Sequence, residues 1–189
     1  MTGNARVTGS VRFVAGVSRH EADLTELFRA AFAASEGDDE GALIGDLAHR
    51  LLETTPAGDI RIVAAEDGGR LVGGAIFTRL RYPEDARTVF LLSPVAVAPD
   101  RQGAGLGQAM LHHGLDALRA EGVDVAVTYG DPAWYAKVGF APITVDHARP
   151  PQLLTHPEGW IAQSLTGAPL TPFAGPSICA PALDDPAFW

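Results

Sequence analysis

Val95-Ala-Val-Ala-Pro-Asp-Arg-Gln-Gly-Ala-Gly-Leu-Gly107 is the stretch on which the reading of this chain turns. Alternating apolar residues end in a glycine-rich turn, and an amphipathic pattern starts directly after it. The spacing predicts a strand, a tight loop and then a helix over about Ala104–Ala120, with Met110, Leu111, Leu115 and Leu118 facing inward and Gly122 as the stop. Glycines let the backbone approach a ligand, and the first amides of a helix have no partners inside it. Those free N–H groups and the positive end of the helix dipole favour an anion, so the layout predicts a phosphate site.

Working outward, Asp124–Tyr129 reads as a short buried strand, and Gly130-Asp131-Pro132 turns the chain into a short helix around Trp134 and Tyr135. The strand ending near Ala98 and the one at Asp124 form a βαβ unit, which requires parallel strands and a right-handed crossover. Upstream, residues 88–98 form a strand run with Pro94 inside it, the mark of a bulge, an edge or a splayed position. Residues 60–66 and 71–80 flank Asp67-Gly68-Gly69 as a hairpin. Two helices precede it, one carrying Leu24, Leu27, Phe28, Ala31 and Phe32, the other Leu43, Ile44, Leu47, Ala48, Leu51 and Leu52. Between them Gly37–Gly41 reads as an acidic loop. Val11, Phe13, Ala15 and Val17 alternate as a first strand over 10–17, and Ser18 with Glu21 has capping-box spacing. Residues 1–9 read as a polar, disordered lead-in.

Residues 10–189 are read as one domain of mixed α/β type, in the order β-α-α-β-β-β-α-β-α-β. Nine of the fourteen prolines lie from Ala141 onward, so the segment 141–189 is read as loop packed on that domain, apart from a strand at Trp160–Leu165. The net charge of -9 argues against nucleic acid or an anionic membrane as partner, and mildly favours a cationic acceptor. The single cysteine, Cys179, allows no internal disulfide, and no apolar run has transmembrane length; a cytoplasmic setting fits. Cys179 has no local catalytic partner and is read as a buried thiol. His112 and His113 sit mid-helix without a second ligand at i+4, so no metal is expected.

The glycines alone leave three readings. Gly103, Gly105 and Gly107 give G-x-G-x-G rather than the G-x-G-x-x-G of a dinucleotide fold. Gln108-Ala109 after the last glycine excludes a P-loop, which needs Lys-Ser/Thr there. A strand-to-helix turn without ligand is the third.

A second block decides among them. Gln102-x-x-Gly105-x-Gly107, followed by Tyr135-x-x-x-Gly139-Phe140, resembles the Gcn5-related N-acetyltransferase (GNAT) superfamily. The first element is similar to its acyl-coenzyme A (CoA) loop, the second to its Tyr-x-x-x-Gly-Phe block. Gly130-Asp-Pro-x-x-Tyr135 and Pro181-Ala-Leu-Asp184 look like the bacterial branch of predicted N-acetyltransferases. The resemblance spans about residues 10–165, with its motifs at 92–140.

The resemblance implies a mostly antiparallel central sheet with one splayed parallel strand pair and flanking helices, the acyl-CoA N-acyltransferase fold. It implies that pantetheine pairs with the strand at Pro94–Val97, hence with Val95, Ala96 and Val97. The amides of Gln102, Gly103, Ala104, Gly105, Leu106, Gly107 and Gln108 would then hold the diphosphate. Acetyl-CoA or another acyl-CoA is the implied cosubstrate. An amine attacks the thioester directly, and Tyr135 protonates the leaving thiolate. A phenol suits that role, since its ordinary pKa of about 10 keeps it protonated at neutral pH. The chain departs from the pattern in two ways. Gln102 and Ala104 stand where a basic residue is common, leaving Arg101 as the nearby cation. Ser93 stands where relatives often carry a glutamate base, and Glu36, Asp38, Asp39 and Glu84 are the other carboxylates in predicted loops. Trp134, Trp160 and Trp189 either line an acceptor pocket or pack.

The reading is therefore an N-acetyltransferase for a primary amine, on a small molecule or on a protein N-terminus or lysine. The alternative is a non-catalytic acyl-CoA sensor or scaffold. A homodimer is the expected assembly, with the Pro-rich tail lending an edge.

Overall fold

A computed structural model describes residues 11–15 and 21–189. The expected lead-in at 1–9 and the Ser18 half of the capping box lie outside the described residues.

The element order is β1 (Arg12–Ala15), α1 (Glu21–Glu36), α2 (Asp38–Thr54), β2 (Ile60–Asp67), β3 (Arg70–Arg79), β4 (Val89–Val97), α3 (Leu106–Ala120), β5 (Val125–Tyr129), α4 (Pro132–Tyr135), β6 (Ala141–Pro142) and β7 (Trp160–Ser164). The strands form one sheet in the order β1-β2-β3-β4-β5-β7-β6. Only β4 and β5 pair in parallel; every other pairing is antiparallel. The architecture is thus the mixed, mostly antiparallel sheet with flanking helices that the sequence pattern and the resemblance led to expect.

The central strands read as almost continuous apolar runs because both sheet faces are covered. On one face α3 presents Met110, Leu111, Leu115 and Leu118, all buried against Val63, Phe77, Phe90 and Leu92. On the other lie α1 and α2, with Leu24, Phe28, Leu47 and Leu51 over Ile62, Ile76 and Leu91. Each such fully buried side chain contributes about 1.5–3 kcal/mol of transfer free energy.

Two elements differ from the sequence reading. The expected loop at Gly37–Gly41 is one residue: α1 ends at Glu36, Gly37 turns the chain, and α2 starts at Asp38. Asp38, Asp39 and Glu40, read as a solvated acidic loop, fill the first turn of α2, where their charges meet the positive end of the helix dipole. The short edge strand β6 has no periodicity to reveal it, and its Pro142 is tolerated because the strand lies at the sheet edge.

The segment after β7 packs on the α1/α2 side. Cys179, Ala180, Ala182, Leu183 and Trp189 are buried there. Trp189 donates its indole N–H to the Leu183 carbonyl at 2.8 Å, and its ring lies 6.0 Å from that of Trp160. Arg87 fastens the middle of the segment: it donates to the carbonyls of Thr171 (2.8 Å) and Pro172 (3.0 Å) and lies 3.8 Å over the Phe173 ring. Trp160 and Trp189 are core residues, which resolves two of the three tryptophans.

Candidate active site

The site begins with a fault in strand pairing. Between β3 and β4 the register jumps from Phe77↔Leu92 to Ala75↔Val95, so Ser93 and Pro94 together oppose Ile76. This is the bulge that Pro94 foreshadowed. The parallel ladder between β4 and β5 stops at the same level, since its last pair is Leu92↔Thr128. Beyond it, Val95–Val97 resume pairing with β3, with no partner strand on their other edge. The Ala98 amide donates to Val72 in β3, so alternation turns the main-chain groups of Val97 and Val95 toward the gap. The Val97 carbonyl there accepts a bond from Gln102 Nε2 at 3.0 Å.

The loop after β4 is braced by the β2–β3 hairpin. Arg70 grips Asp100 with two bonds, of 2.7 and 2.8 Å, and Arg101 pairs with Asp67. Gly105 caps α3 with φ +77, a left-handed conformation that side chains resist. A Cβ on Gly107 would lie 3.3 Å from both the Trp134 ring and the Val97 side chain, so the helix start and α4 approach closely only because that Cβ is missing.

The consequence is chemical. Among the described residues, no amide N–H from Gln102 through Gln108 has a protein acceptor; the first helical bond is Ala109 to the Gly105 carbonyl. A run of oriented donors at a helix start is an anion receptor. These residues open onto a pocket of about 580 Å³, large enough for an extended small-molecule ligand. Its floor is Val95, Ala96 and Val97, and one wall is the loop Arg101–Gly103 with Gly105–Gln108. Asp131, Trp134, Tyr135 and Lys137 complete the lining.

Of the residues picked from sequence, the pocket therefore gathers Val95, Ala96, Val97, Gln102, Gly103, Gly105, Leu106, Gly107, Gln108 and Tyr135, and it leaves out Ala104, which faces solvent. The proposed alternative bases are not gathered. Glu36, Asp38 and Asp39 are exposed at the α1–α2 junction, and Glu84 is exposed beside Gly175. Asp131 is the one carboxylate in the lining, and its Oδ1 already accepts the Ala133 amide at 2.9 Å as the cap of α4.

Tyr135 is held from several directions. Its ring packs edge-on to Trp134 (4.8 Å) and Phe140 (5.6 Å). A Cβ on Gly130 would come within 2.7 Å of the ring, so the glycine leaves the space that the phenol fills. The Tyr135 hydroxyl interacts with that of Thr128, which itself donates to the Leu92 carbonyl at 2.8 Å, at the point where the strands part. Burial pushes the Tyr135 phenol above its ordinary pKa, and the Thr128 hydroxyl offsets this only in part. The group is a protonated donor at neutral pH.

Sequence reasoning missed Lys137 and left Trp134 open. A lysine two places beyond Tyr135 was readable, but only the folded turn brings it into the pocket lining.

A splayed parallel strand pair, a helix start with free amides beneath it and a tyrosine across the gap define an acyltransferase-type α/β fold. The profile of the Acetyltransferase (GNAT) domain matches residues 17–143, and the chain belongs to that family. It is 33% identical over 131 residues to YjhQ of Escherichia coli K12, an uncharacterized N-acetyltransferase, covering 67% of this chain and 72% of that one. Its fold is similar to that of E. coli YhbS in complex with CoA (TM-score 0.79, 22% identity, 93% of this chain and 92% of the other). It is also similar to a GNAT acetyltransferase from Brucella melitensis in complex with acetyl-CoA (TM-score 0.68, 22% identity, 93% and 99%).

Proposed function

We propose that the chain is an N-acetyltransferase that moves an acetyl group from acetyl-CoA to a primary amine by direct transfer. The observation that carries this reading is the row of free amides at Gln102–Gln108, whose residues other than Ala104 line the same pocket as Tyr135. The amides suit a diphosphate; the open edge of Val95–Val97 suits the amide groups of pantetheine, as an added strand would. That run leads toward the level of Leu92 and Thr128, where Tyr135 meets the sheet. The neutral amine nitrogen attacks the thioester carbonyl carbon, the C–S bond breaks, the phenol proton goes to the departing thiolate, and the proton shed by the acylated nitrogen restores the phenol, directly or through water. Such a transfer requires a positioned thioester, a neutral amine, a proton donor for the sulfur and an acceptor for the proton that the nitrogen sheds. The amine is on a small molecule, a protein N-terminus or a lysine, and the acidic chain favours a cationic acceptor. Among the described residues no helix is long and apolar enough to cross a membrane; a cytoplasmic enzyme fits this reading.

Titration calorimetry of the folded protein with CoA and acetyl-CoA is the test. Saturable binding of both is expected, and folded protein that takes up neither overturns the proposal. Release of free thiol from acetyl-CoA across a panel of amines then separates an enzyme from a sensor. Binding without amine-stimulated release is the sensor's outcome.

A further inference from the structure

Lys137 is the only lysine of the chain; every other fixed cation is an arginine. It lies on the 3-10 turn Ala136–Val138 that follows α4, and it lines the same pocket as the glycine loop. Its side chain is exposed, and among the described residues no carboxylate stands within ion-pair distance of its ammonium.

The loop itself offers no free positive charge. Gln102 spends its amide on the Val97 carbonyl, Ala104 has nothing to offer, and Arg101 is tied to Asp67. Backbone amides bring partial charges only. A doubly ionised diphosphate on them would face an acidic protein, with Asp131 in the same lining. Of the charged groups in that lining, Arg101 is neutralised by its partner, Asp131 is of the wrong sign, and Lys137 remains. An ammonium on a four-carbon stem acts as a mobile point charge, which suits a phosphate approached from across a cleft.

We infer that Lys137 pairs with the diphosphate of the nucleotide held on the Gln102–Gln108 amides, closing over it from the α4 side. This rests on the CoA reading of the pocket. It assigns to a residue outside the glycine loop the charge that the loop lacks.

Affinities of the wild type, Lys137→Met and Lys137→Arg for CoA and for dephospho-CoA, measured at two salt concentrations, test it. Lys137→Met should weaken both ligands alike, by about tenfold at low salt, and should flatten the salt dependence of binding. Lys137→Arg should keep most of the affinity. Equal affinity in the wild type and Lys137→Met overturns the inference. A loss seen with CoA but not with dephospho-CoA also overturns it, since that places the ammonium on the 3′-phosphate. Wild-type protein that binds neither ligand removes the CoA reading itself, a different failure.

A second readout is spectroscopic. Reductive ¹³C-methylation gives one lysine signal, identified by its absence in Lys137→Met. That signal should move on adding either ligand, and a signal indifferent to both counts against the pairing.

Discussion

Tyr135 is the residue to which the proposed mechanism assigns the proton transfer. Its phenol is kept protonated by burial and fixed between Trp134, Phe140 and the space above Gly130. Tyr135→Phe keeps the ring and its packing and removes only the proton donor. The expected result is CoA affinity close to wild type with kcat for amine acetylation lowered roughly 10–1,000-fold. Unchanged kcat would take Tyr135 out of the mechanism, and lost CoA affinity would make it a binding residue instead. The proposed role comes from the resemblance of the Tyr-x-x-x-Gly-Phe block. The hydroxyl contact with Thr128 was not legible in the sequence, because it depends on where β4 and β5 part.

At the scale of elements, the sequence reading was strongest where one apolar period ran uninterrupted. The α3 stripe, the hairpin and the βαβ unit all came out as expected. It was weakest at Gly37–Gly41, where acidic residues that start a helix were read as loop. Gly41 has a packing reason that no periodicity displays. A Cβ there would meet Arg29 O and Ala33 Cβ, each at 2.6 Å, so α1 and α2 touch through it. Two effects oppose each other in Gly41→Ala. Helix propensity gains about 1 kcal/mol, while overpacking against rigid backbone costs about 1–3 kcal/mol. The clash is with main chain that cannot swing aside, so the second should win. A melting temperature lower by a few degrees is expected, roughly 2–4 °C per kcal/mol for a chain of this size. A rise in melting temperature would mean that the helices do not meet there.

At the scale of the molecule, the segment after β7 is as much part of the core as the sheet. Tyr82 shows the cost of taking it apart. It is 3% exposed, donates to the Arg149 carbonyl at 3.2 Å and stacks on Phe173 at 4.4 Å. Burial pushes its phenol up to about 12, with Ser177 and Arg87 offsetting part of the rise. Below pH 10 the phenol is neutral in both folded and unfolded chains, and its contribution is complete. As pH rises from about 10 toward 12 the unfolded chain ionises first, so stability falls by up to about 2–3 kcal/mol across that window. Chemical denaturation at stepped alkaline pH should show a shallower decline in Tyr82→Phe than in the wild type. Parallel declines would place the alkaline sensitivity elsewhere.

The amino-acid sequence determined, by itself, the strand–loop–helix at Val95–Ala120, its glycines and the tyrosine block, since each is a local pattern of period and turn chemistry. Only tertiary structure decided that the β4–β5 ladder ends at Leu92 and Thr128, that Arg101 is consumed by Asp67, and that Lys137 lines the same pocket as the loop. Those facts depend on strand register and on which charges find partners. Both are set by contacts between segments far apart in the chain, which a local pattern does not carry.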